Sequence, residues 1–158
     1  MPLALTVLSR VLPVVLWVRA GYRRLTRPIK IGVRALVVHD NQVLLIRQHG
    51  QAFWILPGGA AERGESLRTS AVREVREETG WTVEAVRLLG IYSCMHEGMT
   101  LHTVVYVCRP VTQAQLKLNI EVAEARFWPI DALPATEGMI EQRLAEYAAD
   151  LFGVDEGF

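Results

Sequence analysis

The amino-acid sequence predicts an α/β layered domain. Short apolar runs bounded by turn residues alternate with segments of helical periodicity, which is typical of a sheet covered by helices. Two helices are expected, over 66–79 and over about 136–151, and Gly80 ends the first. At 158 residues, 51% apolar and 22% charged, the chain is globular and has room for one core.

Six strand-like segments supply the predicted sheet. Asp40 and Asn41 separate the first two, which therefore form a hairpin, and Pro57 ends the third. A polar bend separates the fourth from the fifth, and the sixth precedes the break at Pro134. The segments are 32–39, 43–47, 53–56, 83–92, 101–108 and 122–128.

Composition divides the chain into three regions. Residues 1–30 are an apolar and basic helical segment, residues 31–152 are the folded domain, and residues 153–158 are a tail. The two cysteines, Cys94 and Cys108, are too few for a disulfide scaffold and suit a reducing cytoplasm.

Charge is unevenly distributed, although the net charge is +0. Residues 1–39 contain seven of the 17 basic residues and none of the 17 acidic ones, so residues 40–158 have a net charge of 10 − 17 = −7. Sequence-specific binding of nucleic acid by the body is not expected, because that needs a basic groove. The basic head favours an anionic surface such as lipid or phosphate.

The first 18 residues are mostly apolar, with a narrow polar stripe that includes Arg10 and Pro13. This run is short for a membrane span, and its basic residues follow it, unlike those of a secretory signal. Three interpretations remain: a helix at a lipid interface, a helix packed on the domain, and a dimer contact. We therefore expect peripheral membrane contact through residues 1–28 or a homodimer. The expected localisation is cytoplasmic, with lipid contact placing the protein at the inner face of the membrane.

Three carboxylates in the first predicted helix point to a metal. Glu74, Glu77 and Glu78 stand at i, i+3 and i+4 and share a face. Their mutual repulsion is about 3–4 kcal/mol per pair at an effective dielectric near 20. A solvated acidic face is the alternative for the helix alone. A divalent cation such as Mg²⁺ or Mn²⁺ would remove the penalty and take phosphate oxygens as further ligands.

The loop before this helix strengthens the metal interpretation. Pro57, Gly58 and Gly59 allow the backbone to approach a ligand closely. Glu65 lies at the start of the helix, within reach of Arg73, so a charged hydrogen bond can lock the loop to the helix.

Residues 59–81 resemble the Nudix box, G-x5-E-x7-R-E-U-x-E-E-x-G-U, where U is apolar. All seven fixed positions match, with a chance probability on the order of 10⁻⁹ per window, and Val75 and Trp81 occupy the apolar positions. The fixed residues are Gly59, Glu65, Arg73, Glu74, Glu77, Glu78 and Gly80.

This resemblance implies a Nudix-type α/β/α sandwich with a mixed sheet. It also implies a pyrophosphohydrolase that uses water and Mg²⁺ or Mn²⁺ to cleave a phosphoanhydride in a nucleoside diphosphate derivative or nucleotide. Metal ligands would be Glu74, Glu77 and Glu78 with the Gly59 carbonyl. Glu77 or Glu78 would accept the proton, and Glu65, Arg73 and Gly80 would hold the box in shape.

Other residues are weaker candidates for substrate binding. Arg47 can meet phosphate, Trp54 can stack on a base, and Glu121 or Glu124 can serve as a base on a later loop. Each also fits an ordinary core or surface role. The alternative function is a Nudix-like module that binds or senses a nucleotide without turnover; an isoprenoid diphosphate isomerase is less favoured, since Cys94 or Cys108 would have to enter the pocket.

Overall fold

The computed structural model describes residues 29–96, 99–113 and 121–156. These residues form six strands and two helices. In chain order the elements are β1 (Ile29–His39), β2 (Gln42–Gln48), α1 (Leu67–Thr79), β3 (Trp81–His96), β4 (Met99–Gln113), β5 (Val122–Pro129), α2 (Met139–Ala148) and β6 (Val154–Glu156).

The six strands form one mixed sheet in the order β5-β2-β1-β4-β3-β6. The β1/β4 and β3/β6 pairs are parallel, and the other neighbouring pairs are antiparallel. Asp40 and Asn41 both have positive φ in the turn between β1 and β2, which matches the twist of a tight hairpin. The predicted α/β architecture with a mixed sheet is confirmed.

Each helix covers one face of the sheet. Val75 of α1 packs with Ala35 and Val37 on one face, because alternate residues of β1 point to opposite sides. Ile140 and Leu144 of α2 pack with Leu36 on the other face. We call these the α1 face and the α2 face.

The sheet opens between β1 and β2 to admit the loop that precedes α1. Register between these strands is limited to the hairpin end, where Val38 faces Val43. Farther along, the Ile55 and Ile46 backbones exchange two hydrogen bonds of 2.9 Å. On the other side, the Ala35 N–H donates to the Pro57 carbonyl at 2.9 Å. Backbone bonding to both strands therefore fixes the loop inside the sheet.

Strands β1, β3 and β4 extend beyond the predicted segments 32–39, 83–92 and 101–108, and three other elements also differ from the sequence prediction. The predicted strand 53–56 makes only isolated bridges, Ile46 with Ile55 and Trp54 with Thr136, because it lies in the opening of the sheet. The last helix, Met139–Ala148, is shorter than the predicted 136–151. The predicted tail contributes β6, whose backbone pairs with β3.

The predicted apolar and basic helical segment lies outside the described residues, apart from Ile29 and Lys30 in β1. Among the helices that the structure describes, none is long and apolar enough to cross a membrane.

Candidate active site

The Pro57-Gly58-Gly59 turn is shaped by two close approaches. Gly58 has φ +150°, and a Cβ at this position would lie 2.1 Å from the Val33 carbonyl oxygen. Only glycine fits there, since both the conformation and the space exclude a side chain. A Cβ on Gly59 would lie 2.6 Å from Glu74 Oε1, so the Glu74 carboxylate sits directly against the turn.

Helix α1 spans Leu67–Thr79, so it begins one residue later than predicted and ends at Gly80 as predicted. Ser66 is the N-cap, and its Oγ accepts the Thr69 backbone N–H at 3.1 Å. Gly80 adopts a left-handed conformation with φ 74°, and its N–H donates to the Arg76 carbonyl at 3.0 Å. These caps fix the two ends of α1, and thereby the positions of its acidic residues relative to the glycine turn.

A clamp formed by Glu65 and Arg73 ties the loop to the helix. Arg73 Nε donates to Glu65 Oε1 and Arg73 Nη2 donates to Glu65 Oε2, both at 3.0 Å. Ser70 Oγ adds a bond of 2.6 Å to Glu65 Oε2, and Arg73 Nη2 also donates to the Ala60 carbonyl at 3.1 Å. The Arg73 hydrogen bonds are the main reason that the pKa of Glu65 falls to about 2.

Arg73 also reaches two of the predicted metal ligands. Its Nη1 donates to Glu74 Oε1 at 2.9 Å and to Glu77 Oε2 at 3.1 Å. The bonds to Glu65 are the largest cause that raises the pKa of Arg73. The Arg73 guanidinium therefore pairs with three carboxylates, those of Glu65, Glu74 and Glu77.

The three helix carboxylates do not share one environment. Glu74 and Glu78, four residues apart, face the glycine turn, and Glu78 is only 5% exposed. Glu77 is on the exposed side of the helix next to Arg73. The i, i+3, i+4 spacing predicted one acidic face, but packing of α1 against the loop divides it.

Glu78 differs from Glu65 in that its pKa is raised rather than lowered. The Gly58 N–H donates to Glu78 Oε2 at 2.7 Å. The pKa of Glu78 is raised to about 7, mainly by burial. The Gly58 bond and Arg34 oppose this rise, and the carboxylates of Glu74 and Glu121 add to it. The loop thus holds a carboxyl group where its anionic form lacks enough compensating positive charge.

Arg34 is a site residue that the sequence analysis missed. Its Nη1 donates to the Leu56 carbonyl at 2.9 Å and to the Gly58 carbonyl at 3.2 Å, so it supports the turn from the α2 face. The signal was a single charged residue within an otherwise apolar strand, GVRALVVH.

The predicted substrate-binding residues lie on the α2 face. Arg47 faces Glu124 across the β2/β5 register, and Arg47 Nη2 donates to Glu124 Oε2 at 3.1 Å. Trp54 is buried, with its ring centroid 5.2 Å from that of Trp128. The Arg126 guanidinium lies 3.8 Å from the Trp128 ring centroid and 5.3 Å from that of Trp54.

Glu121 is exposed and directly precedes β5, within electrostatic reach of Glu78. Its backbone carbonyl accepts the His49 N–H at 3.0 Å at the end of β2. Its effect on the pKa of Glu78 shows that the two carboxylates are electrostatically close. Glu124, by contrast, is engaged by Arg47 and by Arg126, whose Nε is 3.5 Å from Glu124 Oε1.

The donor chemistry of the site fits a hard divalent cation. The Glu74 and Glu78 carboxylates border the Gly58–Gly59 backbone, and such oxygens are preferred by Mg²⁺ and Mn²⁺. The Gly59 carbonyl already accepts the Val33 N–H at 2.8 Å and retains a second lone pair. Among residues 29–96, 99–113 and 121–156, no three His, Cys, Asp or Glu side chains are arranged to hold one metal ion. Arg73 donates to Glu74 Oε1 and to Glu77 Oε2, so a bound metal ion would compete with the guanidinium for those oxygens.

Comparison with known proteins identifies the family. A family profile described as the NUDIX domain matches residues 28–151. The chain belongs to the NUDIX domain family. An ADP-ribose pyrophosphatase from Methanocaldococcus jannaschii is 32% identical over 130 residues, which are 80% of this chain and 76% of that protein. The Bacillus subtilis protein YjhB is 35% identical over 109 residues, 66% of this chain, and the match spans about half (52%) of YjhB.

Solved structures of NUDIX proteins share the fold. A structure described as a UDP-X diphosphatase superposes with a TM-score of 0.71 and 28% identity, covering 82% of this chain and 67% of that one. An ADP-ribose pyrophosphatase from Streptococcus suis gives a TM-score of 0.65 and 26% identity, covering 81% of this chain and 96% of that one. The Nudix-type sandwich expected from the box is therefore confirmed.

Proposed function

We propose that this NUDIX protein is a metal-dependent pyrophosphohydrolase acting on a nucleoside diphosphate derivative, with ADP-ribose the first substrate to test. The observation that carries this proposal is the buried Glu78 carboxyl group on the Gly58 N–H, beside Glu74 and Glu121. These carboxylates lie against the glycine turn without enough positive charge around them. A divalent cation would supply that charge and could bind a diphosphate at the same time. The printed activities of the M. jannaschii and S. suis proteins support the choice of ADP-ribose.

The metal would be Mg²⁺ or Mn²⁺, with Glu74, Glu77, Glu78 and the Gly59 carbonyl as its protein ligands. When bound, such an ion neutralises phosphate oxygens and lowers the pKa of a water molecule. Glu74 and Glu78 lie next to the turn, whereas Glu77 would have to exchange its Arg73 bond for the metal. Arg73 remains bound to Glu65 through two other nitrogens, so the clamp can persist after that exchange.

The reaction balances without a further reactant. The oxygen of water forms a bond to one phosphorus of the diphosphate, and the bridging P–O bond breaks. With ADP-ribose the products are AMP and ribose 5-phosphate. A carboxylate takes the proton of the attacking water, and Glu77 and Glu78 are the proposed acceptors. Glu121, which contributes to the raised pKa of Glu78, is the alternative base. Arg47 is the proposed contact for the anionic substrate, for which it would exchange its bond to Glu124.

A substrate panel with carboxylate variants tests the proposal. Each of ADP-ribose, nucleotide sugars, dinucleotides and nucleoside triphosphates is incubated with Mg²⁺ and with Mn²⁺, and the products are resolved by chromatography. We expect ADP-ribose turnover, and we expect Glu74→Gln, Glu77→Gln and Glu78→Gln to reduce it by about 10²–10⁴-fold. Glu84→Gln is the matched control and should have no effect, since Glu84 of β3 pairs with Arg109 of β4.

Two results would contradict the proposal. Full activity of both Glu77→Gln and Glu78→Gln would remove the assigned metal and proton roles. Binding of ADP-ribose without turnover under every metal condition would instead favour the non-catalytic nucleotide-binding module.

Lipid contact through residues 1–28, a homodimer and localisation in the cytoplasm or at the inner face of the membrane stay predictions. They are supported by the five arginines and the apolar run of that segment. None of them is required by the proposed reaction.

A further inference from the structure

The α1 face of the sheet carries an apolar patch at the end away from α1. The strand registers place Ile29, Thr100 and Met95 in one row across β1, β4 and β3, and Ile31, His102 and Ser93 in the next row. Ile29, Ile31 and Met95 are 67%, 50% and 61% exposed. Three large apolar side chains in two adjacent rows of one sheet face are unusual in water, where such groups are normally scattered.

The polar groups within this patch are already paired. Ser93 Oγ and His102 Nδ1 are 2.7 Å apart in the middle of the second row. Ser93 and His102 would therefore keep their hydrogen bond when a partner covered the patch. The next row on the same face contains Val33 and Val104, and both are buried. The patch therefore adjoins the hydrophobic core.

We propose that the apolar segment, residues 3–18, packs on this patch as an additional helix beside α1. The segment ends ten residues before Ile29, and Ile29 is itself the first described residue of the patch. It contains eleven large apolar side chains from Leu3 to Val18, interrupted on one narrow stripe by Thr6, Ser9, Arg10 and Pro13. Both the segment and the patch lose unfavourable water contact when they meet.

The connecting residues 19–28 have a suitable length. A flexible ten-residue linker has a root-mean-square span of about 17 Å. The patch measures about 7 Å along β1, from Ile29 to Ile31, and about 10 Å across three strands. The linker therefore keeps the segment at an effective concentration in the millimolar range, far above that of a second copy in dilute solution.

The layer occupied by α1 also favours a helix over a lipid surface as the occupant. Helix α1 stands on the same face, and a helix is about 10 Å in diameter. A flat bilayer resting on α1 would therefore stay about 10 Å above the patch. A second helix beside α1 would fill this gap. Apolar side chains on the outer side of the docked segment would remain available for the predicted lipid contact.

Hydrogen exchange of the full chain, read by mass spectrometry without lipid, tests this docking. We expect amides of residues 3–18 to exchange at least about tenfold more slowly than an unstructured peptide, at low and at high protein concentration alike. The double variant Ile31→Ser/Met95→Ser should abolish this protection. The control Val86→Ser/Val111→Ser changes side chains of similar exposure, 51% and 59%, elsewhere in the sheet and should preserve it.

A second measurement does not depend on altering the domain. Peroxide oxidation of Met95 should be slower than that of Met139, which is less exposed in the described structure. Leu8→Ser/Leu12→Ser in the segment should raise the Met95 oxidation rate several-fold and leave the Met139 rate unchanged.

Each other outcome overturns the proposal in a distinguishable way. Equal protection in wild type and the patch variant would mean that the segment does not use the patch. Protection that rises with concentration, with a dimer in sedimentation, would assign the patch to a second copy. Protection that arises only with phosphatidylglycerol vesicles would assign the segment to lipid alone.

Discussion

Two parts of the site hold negative charge in opposite ways. In the clamp, Glu65 receives two bonds from Arg73 and one from Ser70, and its pKa is lowered to about 2. Beside the glycine turn (the glycine pocket), Glu78 is buried, accepts one backbone N–H and lies near other carboxylates, and its pKa is raised to about 7. The protein itself thus compensates the charge of Glu65, whereas for Glu78 we propose that a cation does so.

The largest expected loss of stability comes from disrupting the Pro57-Gly58-Gly59 turn that buries Glu78. Gly58→Ala places a Cβ 2.1 Å from the Val33 carbonyl and forces a side chain into φ +150°. We expect a loss of more than about 3 kcal/mol of unfolding free energy, together with loss of turnover. Chemical denaturation measures the first. Gly64→Ala is the control, because Gly64 also has positive φ but open space around it, and should cost about 1 kcal/mol.

Glu78→Gln should increase the stability of the metal-free protein while reducing its activity. A raised pKa means that the folded state binds the proton more tightly than the unfolded state, so stability falls as pH rises from about 4.5 to about 7. At pH 8 we expect the variant to be more stable than wild type by at most about 3 kcal/mol.

Thermal melts across this pH range measure the difference. The two proteins should converge below pH 4.5, and Mg²⁺ at pH 8 should raise the melting temperature of wild type more than that of Glu78→Gln. Identical pH profiles for the two proteins would show that the pocket does not strain the folded state.

The clamp should show the opposite pH dependence. Because the pKa of Glu65 is lowered in the folded state, its contribution is full above about pH 4.5 and is lost as pH falls toward 2. Arg73→Ala should lower the unfolding free energy by about 2 kcal/mol at pH 7, since it removes charged hydrogen bonds. Arg73→Lys should recover only part of this, because it cannot form the two-nitrogen contact with Glu65. Denaturation at pH 7 and pH 3 distinguishes the two variants.

The smallest effect concerns the aromatic side of the site. Arg126→Ala removes the guanidinium stacked on Trp128 and should cost about 0.5–1 kcal/mol of stability. If Arg126 also meets the substrate, KM should rise while kcat changes little. Arg109→Ala, which breaks only the exposed pair with Glu84, is the control for KM. Equal KM values in both variants would limit Arg126 to packing.

Local features of the site were predictable because they depend on near neighbours in sequence. The Ser66 cap, the Gly80 stop and the reach from Glu65 to Arg73 follow from helical spacing. The box spacing likewise indicated the family and the sandwich. Strand β6 was missed because three residues, Val154–Glu156, give too short a pattern, and only pairing with β3 defines them.

Sequence alone determined which acidic residues belong to the site, because their spacing on α1 is a local property. Tertiary structure decided what each of them does. Insertion of the glycine turn between β1 and β2 buries Glu78 and leaves Glu77 beside Arg73 at the surface. It also brings in Arg34, whose role depends on carbonyls more than 20 positions away. Burial and long-range backbone contacts set electrostatic environment, and neither can be read from the order of residues on one helix.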